Sequence, residues 1–127
     1  NAKCSLGFTE ALLRGIGCNW LVCLAVFAAA ASTETIGKIA ALWFPTMAFV
    51  ALGMEHCIAN MFFIPLGILT GTDPRYIALV EAGKAAALKA DFYSFAVGNL
   101  IPVTIGNIIG GSVLVGMLYL AANIKKA

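Results

Sequence analysis

Two adjacent ionisable residues, Glu55 and His56, lie in the middle of an otherwise apolar run, IAALWFPTMAFVALGMEHCIANMFFIPLGILTG at 39–71. An ionisable residue at membrane depth is by default a functional-site candidate. An unperturbed imidazole changes charge near neutral pH, so His56 is suited to passing a proton. Asn60 follows one helical turn later. Asn19 sits in GIGCNWLVCLAVFAAAA at 15–31, and Asn99 and Asn107 sit in NLIPVTIGNIIGG at 99–111. Each long apolar stretch therefore carries at least one amide or ionisable group. Phe44, Phe49, Met54, Met61, Phe62 and Phe63 surround the Glu–His pair in sequence and point to an apolar constriction beside one protonatable spot.

That combination suits the passage of a small weak-acid anion. A bare ion entering an apolar constriction faces an idealised desolvation cost of tens of kcal/mol. A proton supplied near His56 removes most of that cost if the anion is the conjugate base of a weak acid. Other chemistries fit poorly. There is one histidine, and Cys4, Cys18, Cys23 and Cys57 form no CxxC pair, so no metal is expected. No glycine-rich phosphate loop is present and no cofactor is expected. No serine lies near His56 in sequence to suggest a hydrolase. A plainer reading of the same residues is that Glu55 and His56 cap helix ends and that Asn19 makes an interhelical hydrogen bond.

The elements that must position these residues are membrane helices. The chain has 127 residues, of which 61% are hydrophobic and 11% charged, against about 25% charged in a soluble domain. Stretches 15–31, 39–54 and 92–122 hold no charge at all. The net charge of +2 gives no case for nucleic-acid binding. The expected class is an all-α integral membrane protein with spans at about 6–31, 39–71 and 92–122. A single crossing needs about 20 apolar residues, so 39–71 is too long for one simple helix and too short for two. Gly53, flanked by Pro45 and Pro65, predicts one span made of two half-helices that break near Glu55–His56. Broken helices at membrane depth are tolerated where they are buried in protein or line a cavity. STETIGK at 32–38 is a polar turn, and a surface helix is expected around 77–90. Pro102 with Gly106, Gly110 and Gly111 allows a kink in the last span, and Gly106–Gly110 is a GxxxG pair suited to close helix packing. The chain begins at Asn1 and reads as a piece of a longer polypeptide; three spans do not close a pore alone.

GIGCNWLVCLAVFAA at 15–29, LWFPTMAFVALGMEHCIANMFFIPLGI at 42–68 and NLIPVTIGNIIGG at 99–111 together resemble the C-terminal half of the formate/nitrite transporter family. The resemblance covers all three spans in order. It implies an aquaporin-like fold of two inverted three-span halves, a homopentamer with one pore per protomer, and a location in the cell membrane within the lipid bilayer. Residues 1–127 are then spans four to six of a protomer, and the N-terminal half is missing. His56 matches the central pore histidine, Glu55 the residue before it, Asn60 the asparagine one turn on, and Asn19 the supporting amide. Phe49 and Val22 resemble the apolar constriction residues, and Lys3 the vestibule lysine that draws anions. Asn107 is a further site candidate. Cys57 stands where serine is common.

The expected function is a channel or transporter, not an enzyme, for small monovalent weak-acid anions. Formate is favoured, with proton coupling through His56; nitrite and hydrosulfide are alternatives in the same pore. A non-conducting membrane assembly subunit is the rival from another class. In that case the polar residues would only hold helices together.

Overall fold

The computed structural model describes residues 2–79 and 90–124. A short 3₁₀ turn, Ala2–Ser5, precedes α1, Phe8–Ala31. Next come α2, Thr35–Ala51, and α3, Cys57–Gly71, separated by five non-helical residues. A short helix α4, Pro74–Leu79, follows. The chain ends in a continuous helix α5, Ser94–Ile124. The helix expected around 77–90 lies mostly outside the described residues.

Helices α1 and α5, of 24 and 31 residues, are long and apolar enough to cross a membrane. At 1.5 Å per residue, α2 and α3 reach only about 26 and 22 Å, short of a hydrocarbon core of about 30 Å. They work as two pieces of one broken span. Pro45 and Pro65 fall inside these helices, not at the break, a tolerance that membrane surroundings permit.

Helix α1 is the centre of the packing: it lies along both α2 and α5, while α3 reaches back to the first part of α5. Backbone approaches backbone between α1 and α5. A Cβ on Gly106 would strike the Leu12 carbonyl, and one on Gly110 would strike the Ile16 carbonyl. A Cβ on Gly15 would lie 2.9 Å from the Val103 carbonyl oxygen. The GxxxG pair is thus the α1 contact itself. The prolines and glycines of α5 do not unwind it; the helix instead widens into π-helical turns at Ser94–Leu100 and Ile109–Met117, a local form frequent at functional sites.

Asp91 and Ser94 open α5 with a reciprocal cap. Asp91 Oδ1 accepts from the Ser94 main-chain N–H at 2.7 Å, and Ser94 Oγ accepts from the Asp91 N–H at 3.0 Å. The Ser94 hydrogen bonds hold the Asp91 carboxyl below its usual range. The burial pattern inverts that of a soluble protein. Glu55, Asn60, Asn99 and Asn107 are fully buried, whereas Trp43, Phe44, Phe62, Phe63, Leu69 and Leu120 are exposed. The bundle presents apolar surface outward and keeps its polar groups within.

Candidate functional site

The break between α2 and α3 is built from backbone groups that helices leave unpaired. Helix α2 stops at Leu52, and Gly53 takes φ +64°, the left-handed conformation that favours glycine. The Gly53 N–H bonds to the Val50 carbonyl at 3.1 Å and the Met54 N–H to the Phe49 carbonyl at 3.0 Å, a Schellman stop. His56 is extended, with φ −112° and ψ 117°, and its carbonyl accepts the first α3 bond, from the Asn60 N–H at 2.9 Å.

Two flanking helices hold the chain between these ends. From α1, the Arg14 guanidinium donates to the Gly53 carbonyl at 3.0 Å, and the Arg14 carbonyl accepts from the Glu55 N–H at 3.4 Å. From α5, Asn107 grips both peptides around His56. Its Nδ2 donates to the Glu55 carbonyl at 3.0 Å, and its Oδ1 accepts from the Cys57 N–H at 3.0 Å. The second Asn107 amide hydrogen goes to the Gly15 carbonyl at 2.9 Å. Asn19 Nδ2 in turn donates to the Asn107 main-chain carbonyl at 2.7 Å, which is an interhelical bond. These short amides reach because Gly15 and Gly106 let α1 and α5 meet.

Behind the break lies a buried polar cluster. Glu55 is 2% exposed. Its Oε1 accepts from Lys3 Nζ at 2.8 Å, and its Oε2 accepts from Asn60 Nδ2 at 2.6 Å and Asn99 Nδ2 at 3.1 Å. Asn60 Nδ2 also reaches Asn99 Oδ1 at 2.7 Å, and Asn99 Nδ2 reaches the Lys3 carbonyl at 2.9 Å. An amide NH₂ has two hydrogens, so the donors of Asn60, Asn99 and Asn107 are fully committed. Lys3 is consequently an ion-pair partner of Glu55 with one partly exposed face. Lys3, Leu6, Arg14, Gly53 and Glu55 line a cleft of about 220 Å³.

His56 is the member left out of this accounting. Its ring makes no cap, lies 6.2 Å from the Phe49 ring and is tilted 41° to it. His56 Nδ1 and Asn60 Oδ1 are the only buried side-chain polar atoms without a partner among the described residues. Buried polar atoms are normally paired. Val22 is half-buried on α1, one turn beyond Asn19. Of the sequence-derived candidates, Glu55, Asn60 and Lys3 meet directly, Asn19 and Asn107 meet beside them, and Phe49 faces His56. The structure adds Asn99 and Arg14 to the set. Asn99 had a signal, as an amide in an apolar stretch; Arg14 stands just before the stretch at 15–31 and had none.

A sequence model described as formate/nitrite transporter matches residues 1–121. A probable formate transporter of Methanothermobacter thermautotrophicus is 47% identical over 122 residues, 96% of this chain and 38% of that protein. A formate channel, FocA, of Haemophilus influenzae is 41% identical over 85% of this chain and 39% of its own length. A solved pentameric formate channel with formate bound superposes with a TM-score of 0.83 at 39% identity, over 97% of this chain and 49% of that one. The chain thus spans less than half the length of the relatives it matches.

Proposed function

This chain belongs to the formate/nitrite transporter family, with its aquaporin-like all-helical membrane fold, and we propose that it is the C-terminal half of a six-span protomer whose pore passes small monovalent weak-acid anions, formate first. The observation that carries the reading is the state of His56. It stands at a break between two half-helices, against Phe49, with a buried Nδ1 that no described residue satisfies. Every other buried polar side-chain atom nearby except Asn60 Oδ1 is paired. A half-helix N-terminus favours anions, and α3 starts at Cys57, next to the imidazole. The support network keeps the His56 backbone extended and leaves its ring free to exchange a proton.

In this reading the anion approaches α3, takes one proton from the His56 imidazolium and passes the apolar constriction as a neutral acid. It then returns the proton or carries it across. Phe49 and Val22 form the apolar walls with residues of the N-terminal half. Glu55, Asn60, Asn19, Asn107 and Lys3 hold the break in place. The pentameric relative supports a homopentamer; the proposal sets it in the cell membrane with one pore per protomer.

The test is uptake into proteoliposomes by the complete polypeptide, comparing formate, nitrite and hydrosulfide from about pH 5 to about pH 8, the window in which histidine titrates. Formate uptake leads, and His56→Ala abolishes its pH dependence. Leading flux of nitrite or hydrosulfide reassigns the substrate within the same pore. Unchanged flux in His56→Ala rejects the relay, and no flux of any of the three anions favours a non-conducting assembly role.

A further inference from the structure

We infer that Arg14 offsets the negative helix end at the break and is a specificity-determining residue for anions. This rests on the transport reading above. A break inside one span brings two helix ends of opposite polarity together. The N-terminus of α3 carries the positive end of its dipole and the C-terminus of α2 the negative end, each worth roughly half a charge. For an anion, α2 cancels what α3 offers. The Arg14 guanidinium lies 3.0 Å from the Gly53 carbonyl, at the terminus of α2. There it offsets the end that is unfavourable for an anion.

Three further observations support this assignment. Arg14 lines the same 220 Å³ cleft as Lys3 and Glu55, so its charge faces space and not only protein. While Nη1 serves Gly53, Nη2 pairs with Glu10 Oε1 at 2.6 Å. That partner is about half exposed and tempers the cation. Lys3, the other cation of the cleft, is neutralised by buried Glu55 at 2.8 Å. Both cations are thus paired, and Arg14 is the one that also donates to a carbonyl of the break, with Glu10 as its modulator.

The experiment uses the full polypeptide in proteoliposomes. Initial formate uptake against concentration is measured at low and at physiological salt for wild type, Arg14→Gln, Arg14→Lys and Glu10→Gln. Arg14→Gln removes the charge and, being shorter, the Gly53 contact, so the salt dependence of KM is what reports the charge. It raises the KM for formate by about two- to fivefold, the range of a helix-end charge, with the maximal rate near wild type. Its KM also loses most of its salt dependence, since charge effects fade as the Debye length falls from about 30 Å to about 8 Å. Arg14→Lys restores both. Glu10→Gln moves KM the other way, and because it lies outside the break it remains informative if Arg14→Gln does not assemble. Equal KM and equal salt dependence in Arg14→Gln and wild type overturn the inference, as does an unshifted KM in Glu10→Gln. No formate uptake by the wild type would instead reject the transport reading itself.

Discussion

Replacing Asn107 with leucine tests whether the break is held from α5. The side chain makes three bonds: to the Gly15 carbonyl at 2.9 Å, to the Glu55 carbonyl at 3.0 Å and from the Cys57 N–H at 3.0 Å. Leucine has a similar volume, so packing changes little and the loss is polar. Gly15 sits in the middle of α1, where its carbonyl keeps a helical partner. The Glu55 carbonyl and Cys57 N–H lie at the break, where no helical neighbour replaces Asn107. A buried backbone group left unpaired costs about 1–3 kcal/mol, giving about 2–6 kcal/mol for the two. Interhelical hydrogen bonds in membranes average nearer 0.6 kcal/mol by double-mutant cycle, so the lower end, about 2 kcal/mol, is the expected loss. Denaturant unfolding of the full protein in detergent measures it. Asn107→Asp isolates the parts: it keeps the acceptor for Cys57 and loses both donors. An Asn107→Leu protein within about 0.5 kcal/mol of wild type, the ordinary scatter of innocuous substitutions, would refute the clamp.

Two more outcomes follow from the same contacts. Lys3→Met leaves the buried Glu55 carboxylate without its cation and destabilises the protein by about 1–3 kcal/mol, less than a fully buried pair because Lys3 is 38% exposed. Adding Glu55→Gln recovers most of that loss in a thermal-unfolding comparison, and a double variant no better than Lys3→Met would show that the pair is not the cause. Gly110→Ala forces a Cβ into the Ile16 carbonyl and costs about 1–3 kcal/mol through overpacking; unfolding at the wild-type midpoint would show that α1 and α5 can separate freely.

The break was legible in the sequence because its signals are local. A polar pair in a run too long for one span and too short for two marks an interruption, and Gly53 marks where the chain can turn. The prolines were poorer markers: Pro45 and Pro65 are carried inside the half-helices. What spacing did not show was the set of partners. Lys3 and Glu55 are 52 residues apart, Asn99 and the Lys3 carbonyl 96, Asn19 and the Asn107 carbonyl 88. Such pairings follow from how α1 and α5 are rotated against each other. The π-helical turns of α5 shift that rotation, and a wheel drawn at 3.6 residues per turn does not register them. Arg14 was hidden for a related reason. At the end of a polar leader it reads as an interfacial charge, and only the position of Gly53 across the helix contact gives it a carbonyl to cap.

The same accounting separates glue from site among the buried polar groups. Polar residues that only hold helices together should be satisfied by each other, since an unpaired group at membrane depth is costly. Asn99, Asn107 and Glu55 meet that criterion, with every buried side-chain atom engaged within the bundle. The two exceptions lie one helical turn apart, on His56 and Asn60, on the α3 side of the break. If the cluster were structural throughout, its unmet atoms would be scattered or absent. Instead the paired residues form a frame around the backbone of His56, and the unmet capacity falls on His56 and on Asn60, one turn away. The frame makes the imidazole's position stiff, and on the proposed transport reading the imidazole's own chemistry is left for what the pore brings to it.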